Sequence, residues 1–481
     1  MSLDLSASLL VGAPEIVLAA GALALLMIGT FRGDRALAGL TVGAVILFGV
    51  TALTIIDDAP ERQLAWGGLY VADAFSAYLK MLVLLGASVS ALLALPHLSR
   101  LQSARFEYPV LIVLATLGMF MLVSANNFLA LYVGLELLAL ASYVLAAFHR
   151  DDMQSSEAGL KYFVLGALAS GLILFGITFI YGFTGSVGFE EAAASLRAGQ
   201  SAGAIAGMVF ILAGLAFKVS AVPFHMWTPD VYEGAPTPVA AFFAAAPKVA
   251  AVGLLARVAV DAFGGMVAQW QQIVIFMSIA SMLLGALGAI GQTNIKRLLA
   301  YSSINNVGFL LVGLAAATPA GMAAMLFYLA VYMVMTLGAF LALLALADAD
   351  GRPLETMEDL AGLAQTRPWL AAAMAAFMLS LAGIPPLFGF MPKLAIFNAA
   401  VGAGLFGLAI VGVLATVIAA FYYLRVVKLM FFDPPARPAV VPRGRLNGAM
   451  MAAAALFVSP LGFLALGPLN AASRLAASAL F

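Results

Sequence analysis

The 481-residue chain has no cysteine. Disulfides, thiol chemistry and iron–sulfur clusters held by this chain are therefore excluded. Charge is scarce. Only 10% of residues are Asp, Glu, Lys or Arg, and 23 basic side chains cancel 23 acidic ones. No nucleic-acid or anionic-ligand surface is implied. The three histidines, His97, His149 and His225, are too far apart in sequence for metal-ligand spacing. No GxGxxG opens a helix after a strand and there is no P-loop, so no nucleotide site is expected. The N-terminal stretch carries Asp4 and Glu15 and no basic n-region. A cleaved signal peptide is not expected, and the first apolar segment is read as retained.

What is abundant is apolar surface. The chain is 64% hydrophobic with a mean hydropathy of +1.08. This composition belongs to a polytopic membrane protein. A span needs about 20 mostly apolar residues. Fourteen segments qualify: 14–30, 37–56, 71–95, 108–124, 128–148, 160–181, 202–222, 239–260, 273–290, 298–316, 322–347, 369–390 with a continuation past Leu394, 406–430 and 450–466. Connections after odd-numbered spans carry fifteen basic residues: Arg32, Arg35, Arg100, Arg105, Arg150, Lys161, Lys296, Arg297, Arg352, Arg367, Arg425, Lys428, Arg437, Arg443 and Arg445. The opposite side carries four, Arg62, Arg197, Arg257 and Arg474. The positive-inside rule then puts the basic connections in the cytoplasm and both termini outside.

Two spans are interrupted. The seventh runs through Lys218 into Pro223 and the semi-polar stretch 224–234; the twelfth carries Gly383, Pro385, Pro386, Gly389 and Pro392. Proline removes a backbone donor and clashes with the preceding turn. Broken helices at membrane depth are tolerated where the backbone is buried in protein or lines a cavity. The breaks are five spans apart, so the two helices run in opposite directions. This is the pattern of inverted repeats. The expected fold is all-α, with about fourteen transmembrane helices and two inverted five-helix repeats, each with one broken helix. Residues 1–107 form three peripheral helices, 108–260 the first repeat, 271–430 the second, and 431–481 a cytoplasmic loop and a last helix.

Against this background a few charges stand out. Glu136, Lys218, Lys248 and Lys393 each lie in or at the edge of an apolar span. A charge at a helix centre costs about 2.5–3.5 kcal/mol on translocon scales. Such residues mark ion paths and proton relays, or else structural ion pairs. Glu136 lies roughly 12 Å into its span and Lys248 roughly 14 Å into span eight, at 1.5 Å per residue. Burial disfavours an isolated charge and a nearby opposite charge restores it, so Glu136 is expected to pair with Lys218. Lys218 is expected close to the carbonyls freed by the break after it, with snorkelling as the alternative. Pro247 precedes Lys248 and Pro392 precedes Lys393; each proline should free a carbonyl, that of Phe243 and of Phe388 respectively. Lys80, seven residues after Asp73, reads as a local structural pair. Tyr301, Ser302, Ser303, Asn305 and Asn306 cluster in span ten, either as helix–helix glue or as a wet path. His225 reads as a brace for the break.

These residues resemble a known family. The run from Phe217 to Pro238, FKVSAVPFHMWTPDVYEGAPTP, resembles a hallmark segment of the antiporter-like subunits of proton-pumping NADH:quinone oxidoreductase, respiratory complex I. Glu136 in Gly134-Leu135-Glu136-Leu137 looks like the family's glutamate of helix five. Lys218 and Lys248 match its helix-seven and helix-eight lysines, and Lys393 its helix-twelve site. A lysine there fits N-type and L-type members better than M-type, which carry glutamate, and the length fits the N-type branch. The segment 301–304 also matches. One departure is Asn306, where many members have histidine.

The resemblance implies a proton-translocating subunit, with Glu136, Lys218, Lys248 and Lys393 as relay and His225, Tyr301, Ser302, Ser303 and Asn306 as supporting polar path. It implies no cofactor in this chain, with flavin, iron–sulfur clusters and quinone in other subunits. It also implies neighbours in a membrane arm, including another antiporter-like subunit, within the lipid bilayer. The alternatives are a subunit of a multisubunit cation/proton antiporter and a structural membrane scaffold.

Overall fold

A computed structural model describes residues 5–57, 62–100, 104–199, 201–347, 353–435 and 444–481. Asp4, Arg352, Arg437 and Arg443 lie outside the described residues. Apolar runs without helix breakers become helices because a backbone inside hydrocarbon must satisfy its own hydrogen bonds. The chain opens with α1 (Leu5–Val11), α2 (Ala13–Arg32) and α3 (Leu37–Asp57). A 3-10 turn at Gly33–Ala36 folds α2 back against α3. A short antiparallel hairpin, β1 (Gln63–Ala65) and β2 (Tyr70–Ala72), precedes α4 (Ala74–Arg100). Apolar alternation too short to register as strand explains why span three was expected to begin at Val71.

The first repeat contains α5 (Glu107–Val123), α6 (Phe128–Ala146), α7 (Met153–Thr184), an amphipathic segment α8 (Phe189–Ala198), α9 (Ala202–Val219), α10 (Trp227–Gly234), α11 (Thr237–Ala244) and α12 (Ala246–Arg257). The second contains α13 (Val267–Ile290), α14 (Ile295–Ala315), α15 (Pro319–Leu344), the one-turn α16 (Leu363–Thr366), α17 (Pro368–Ala382), α18 (Phe390–Gly402) and α19 (Phe406–Phe432). The chain closes with α20 (Arg445–Val458) and α21 (Leu466–Ser478), bent by 71° at the break between them.

Each of the fourteen expected segments is mostly helical, with strand at the start of the third and breaks inside the seventh, eighth and twelfth. By length and composition ten helical runs qualify as spans among the described residues, one of them 13–55, which is the α2–α3 hairpin. The remaining segments are short or broken: α5, the α17–α18 pair and the α20–α21 pair. Three runs form the centre of the bundle. The span windows of 237–262, α14 and α15 are each 94% buried, against 33–56% for the others.

The two breaks share one register. α9 ends on Ser220 in the left-handed conformation (φ 65°, ψ 33°), and α17 ends on Gly383 in the same conformation (φ 80°, ψ 38°). One residue further, Ala221 N–H bonds the Ala216 carbonyl and Ile384 N–H bonds the Leu379 carbonyl, the same closure in both halves. A cis proline follows each cap, Pro223 and Pro386. The next helices start at Trp227 and Phe390, each seven residues after its cap. A third interruption lies beside Pro247, where an opening of the ladder was expected but not a full break between two helices. Ala245 (φ −110°, ψ −96°) separates α11 from α12, with Pro247 in the first turn of α12. Phe243 thereby loses its ordinary donor, as expected. Phe388 loses its ordinary donor too, but its carbonyl is not left free: it accepts from Met391 N–H, and Pro392 stands in the first turn of α18.

One buried ion pair locks the two ends of the first repeat to the peripheral helices. Arg257, counted above among connecting residues, is buried. Its Nη2 lies 2.9 Å from Asp73, and both side chains are 1% exposed. Nη1 reaches Asp261 at 3.1 Å, and Nε donates to the Val123 carbonyl at 3.1 Å. Lys296, counted with the basic side, is also buried and pairs with Glu355 at 2.9 Å. Lys80 does not pair with Asp73 but with Glu15 at 2.8 Å, since Asp73 is already taken by Arg257. Removing one partner of a buried pair leaves an uncompensated charge, at about 3–5 kcal/mol. Asp73→Ala is therefore expected to lower the melting temperature of the detergent-solubilised protein markedly; an unchanged melting curve would contradict a structural role for this pair.

Candidate functional site

The most buried helices carry the polar side chains. Lys248 sits in the first turn of α12 with 2% exposure. Its Nζ donates to Ser303 Oγ of α14 at 2.8 Å and to Ser220 Oγ, the left-handed cap of α9, at 3.1 Å. A non-glycine residue in that conformation is disfavoured by roughly 1–2 kcal/mol. The serine hydroxyl explains the choice, since glycine would offer Lys248 nothing. Ser303 Oγ also accepts from Tyr332 OH of α15 at 2.9 Å.

A second group lies on the same stretch of α14. Ser302 Oγ shares a hydrogen bond with Tyr423 OH of α19. Asn306 Nδ2 donates to the Ser302 carbonyl at 2.7 Å and reaches Tyr423 OH at 3.3 Å. Tyr328 OH donates to Asn306 Oδ1 at 2.6 Å. Tyr328 and Tyr332 are one turn apart on α15, so both groups face the same side of that helix.

Lys393, in the first turn of α18, is 3% exposed. Its Nζ donates to the Leu381 and Ala382 carbonyls at 2.9 and 3.0 Å. These are the last carbonyls of α17, which have no donor of their own and carry the negative end of the helix dipole. Gly383 lies against this side chain: a Cβ there would stand 2.7 Å from Lys393 Cδ. The ammonium also lies 4.6 Å from the Phe309 ring centroid. Phe309, buried, separates Lys393 from Tyr328, and among the described residues no hydrogen bond links Lys393 to the Asn306 group.

Two expected arrangements are absent. Lys218 does not bond the carbonyls at the end of α9. Those carbonyls are already used: Ala216 and Phe217 accept from Ser220 N–H, Ala216 also from Ala221 N–H, and Phe217 also from Trp227 Nε1 at 2.9 Å. Glu136 and Lys218 form no ion pair within 4.0 Å among the described residues. Glu136 Oε1 is buried without a hydrogen-bond partner, and Lys218 Nζ lies 5.7 Å from the Phe217 ring. Tyr301 stays apart from the network, its ring packed on Gly288 of α13. Asn305 Nδ2 bonds the Met282 carbonyl at 2.7 Å and acts as helix–helix glue. His225 stands in the first break with Nδ1 unpartnered.

Sequence reasoning missed Ser220, Tyr328, Tyr332 and Tyr423. Tyrosine in an apolar helix reads as packing. The available signal was the spacing of Tyr328 and Tyr332 on one face of a span, since each buried hydroxyl needs a partner. Outside the spans, His149 in the 147–152 connection is pushed below the ordinary histidine value by burial, with Lys296 adding to the effect and Asp152 opposing it. No group of three or more His, Cys, Asp or Glu disposed to hold a metal occurs among the described residues.

The cap at Gly383 yields a direct test. Gly383→Ala adds a left-handed Cβ and forces Lys393 off its carbonyls, at a combined cost of about 1–3 kcal/mol. Gly402→Ala meets open space. The first should melt several degrees lower than wild type and the second should not; equal melting of the two would contradict the packing described.

A profile of the family described as NADH:quinone oxidoreductase/Mrp antiporter, TM, matches residues 125–419. The chain is similar over its length to the NADH-quinone oxidoreductase subunit N of Erythrobacter litoralis (strain HTCC2594), with 54% identity over 485 residues covering 100% of this chain and 99% of the relative. It is similar to the subunit N of Rhizorhabdus wittichii strain RW1 at 54% identity, covering 100% of both. A chain in the structure of respiratory complex I from Thermus thermophilus with bound aureothin superposes with a TM-score of 0.81 at 31% identity, covering 94% of this chain and 98% of that one. A chain of the Mrp complex from Dietzia sp. DQ12-45-1b shares the fold, with a TM-score of 0.84 at 24% identity and 98% coverage of each.

Proposed function

The chain belongs to the NADH:quinone oxidoreductase/Mrp antiporter family of membrane subunits, and on that premise we propose that it is a proton-translocating membrane-arm subunit of an NADH:quinone oxidoreductase. Relatives matched over their whole length are NADH-quinone oxidoreductase N subunits. Flavin, iron–sulfur clusters and quinone belong to other subunits of that assembly, and no redox step occurs on this chain. The basic connections face the cytoplasm and both termini the periplasm of a bacterial inner membrane. Residues 108–260 and 271–430 act as the two half-channels, flanked by 1–107 and 431–481.

The observation that carries the reading is Lys248, buried in the centre of the bundle and bonded only to hydroxyls. Among the described residues it has no carboxylate partner, so a structural ion pair does not account for it. A proton from the cytoplasm reaches Lys248 and leaves it through Ser303 and the tyrosine-lined face of α14 and α15. It then crosses Phe309 to Lys393 and exits to the periplasm. Lys218 and Glu136 sit on the approach to this path as a loose pair. Their separation fits a contact that closes and opens during turnover, biased by remote quinone chemistry. Moving one charge against the membrane potential takes about 2.3 kcal/mol per 100 mV, so some such gating is required. Neighbouring subunits cover the breaks: Met226 is 56% exposed, and Pro223, Pro385 and Pro386 are exposed too. Irregular backbone at that depth is not left against lipid.

In inverted membrane vesicles, Lys248→Met and Lys393→Met should each reduce NADH-driven proton uptake roughly tenfold or more, the usual loss when a positioned proton carrier is removed. Pumping at the wild-type ratio in both would overturn the relay. Asn306→Ala should cut the Tyr328 and Tyr423 contacts and depress pumping, whereas Asn306→His, which restores hydrogen-bonding capacity, should retain it. The antiporter alternative predicts a protein that purifies without NADH:quinone activity.

A further inference from the structure

Where the first half-channel meets the basic connections, five charged side chains from three helices surround one cavity. α7 supplies Glu157 and Lys161, α10 supplies Asp230 and Glu233, and α14 supplies Arg297. Lys161 Nζ lies 2.7 Å from Glu157 and 2.8 Å from Asp230 Oδ2. Arg297 Nη1 lies 2.7 Å from both Asp230 Oδ1 and Glu233 Oε2. Asp230 is thus held on both carboxylate oxygens by cations from two different helices. With Gln154, Ala158 and Gly234 these residues line a cavity of about 240 Å³.

α10 connects this cluster to the buried lysine. It has eight residues, too few to hold its position by helical cooperativity alone. Its ends fix it. At the inner end Trp227 donates to the Phe217 carbonyl and stacks on Tyr162 at 4.4 Å. From its middle outward, Asp230 and Glu233 bind it to α7 and α14. They flank Tyr232, whose ring lies 5.9 Å from Lys248 Nζ. Release of those charges therefore frees the turn that places this ring beside Lys248. The shared register of the breaks sharpens the point. Lys393 stands ten residues after its left-handed cap, and Asp230 stands ten residues after Ser220. The position that carries a proton-bearing lysine in one repeat carries a clamped carboxylate in the other.

We propose that Lys161, Asp230 and Arg297 form the latch of the uptake mouth. Closed, it pins α10 over Lys248; open, it admits water and a proton from the basic-connection side. The proposal rests on the relay reading and names its inlet. The pairs suit reversible use, because their side chains are 30–42% exposed and ion pairs of such exposure are weak and screened by salt.

Because this chain has no cysteine, label found on it after the subunits are separated reports the introduced thiol alone. Val231 lies on α10 between Asp230 and Tyr232 and is fully buried. With Val231→Cys in the assembled complex, a membrane-impermeant maleimide is applied to inverted vesicles. The introduced thiol should react slowly, faster at high salt, and roughly tenfold faster when Asp230→Asn or Arg297→Gln is added, with the salt effect lost. If Asp230→Asn does not assemble, the milder Glu233→Gln should still accelerate labelling. Labelling that responds neither to salt nor to these substitutions would overturn the latch. Failure of the relay itself is a separate result, intact pumping in Lys248→Met, and leaves the labelling rates untouched.

Discussion

A helix that ends inside a bilayer leaves carbonyls that neither water nor lipid can satisfy. Much of this structure answers that constraint. At the first break the carbonyls of α9 are closed by backbone N–H groups and Trp227, and the cap residue Ser220 turns its hydroxyl to Lys248. At the second, Lys393 itself closes α17 through the Leu381 and Ala382 carbonyls. Of the charges that looked out of place in an apolar chain, Lys393 is the one that satisfies carbonyls freed by a break, and Lys248 bonds the residue that caps the other. Under the proposed function, the contact that completes the end of α17 would also hold a proton carrier in place.

The connection between the breaks follows from burial. The runs that bury 94% of their windows, 237–262, α14 and α15, are the ones bearing Lys248, Ser302, Ser303, Asn306, Tyr328 and Tyr332. Polar groups concentrated there find partners in one another, since nothing else is available. The chain of hydroxyls stops at Phe309, whose ring lies between Tyr328 and Lys393. Among the described residues no hydrogen bond crosses that ring. The Asp73–Arg257 pair, by contrast, is buried and doubly bonded, and it ties α12 to the start of α4.

Hydropathy and proline made the spans and both main breaks readable from the chain alone, because each rests on a local rule. The break at Ala245 was not readable: alanine carries no signature, and only Pro247 hinted at it. The four intramembrane charges were visible for the same reason that they are rare. Their partners were not. Glu136 and Lys218 were expected to pair, and three-dimensional packing leaves them apart; Lys80 turns to Glu15 rather than Asp73. Tyr332 and Tyr423, indistinguishable in sequence from core aromatics, bring hydroxyls to Ser303 and Ser302. Partner choice depends on helix rotation, which one apolar span after another leaves undetermined.

The central claim is that buried lysines on this path change protonation as the assembly works. Nitrogen-15 NMR of lysine-labelled complex, with Lys248 and Lys393 assigned by single substitution, would observe this directly. The account predicts that at least one of the two amines is found neutral in a trapped turnover state and charged at rest, or the reverse. Both remaining ammonium in every state would contradict it.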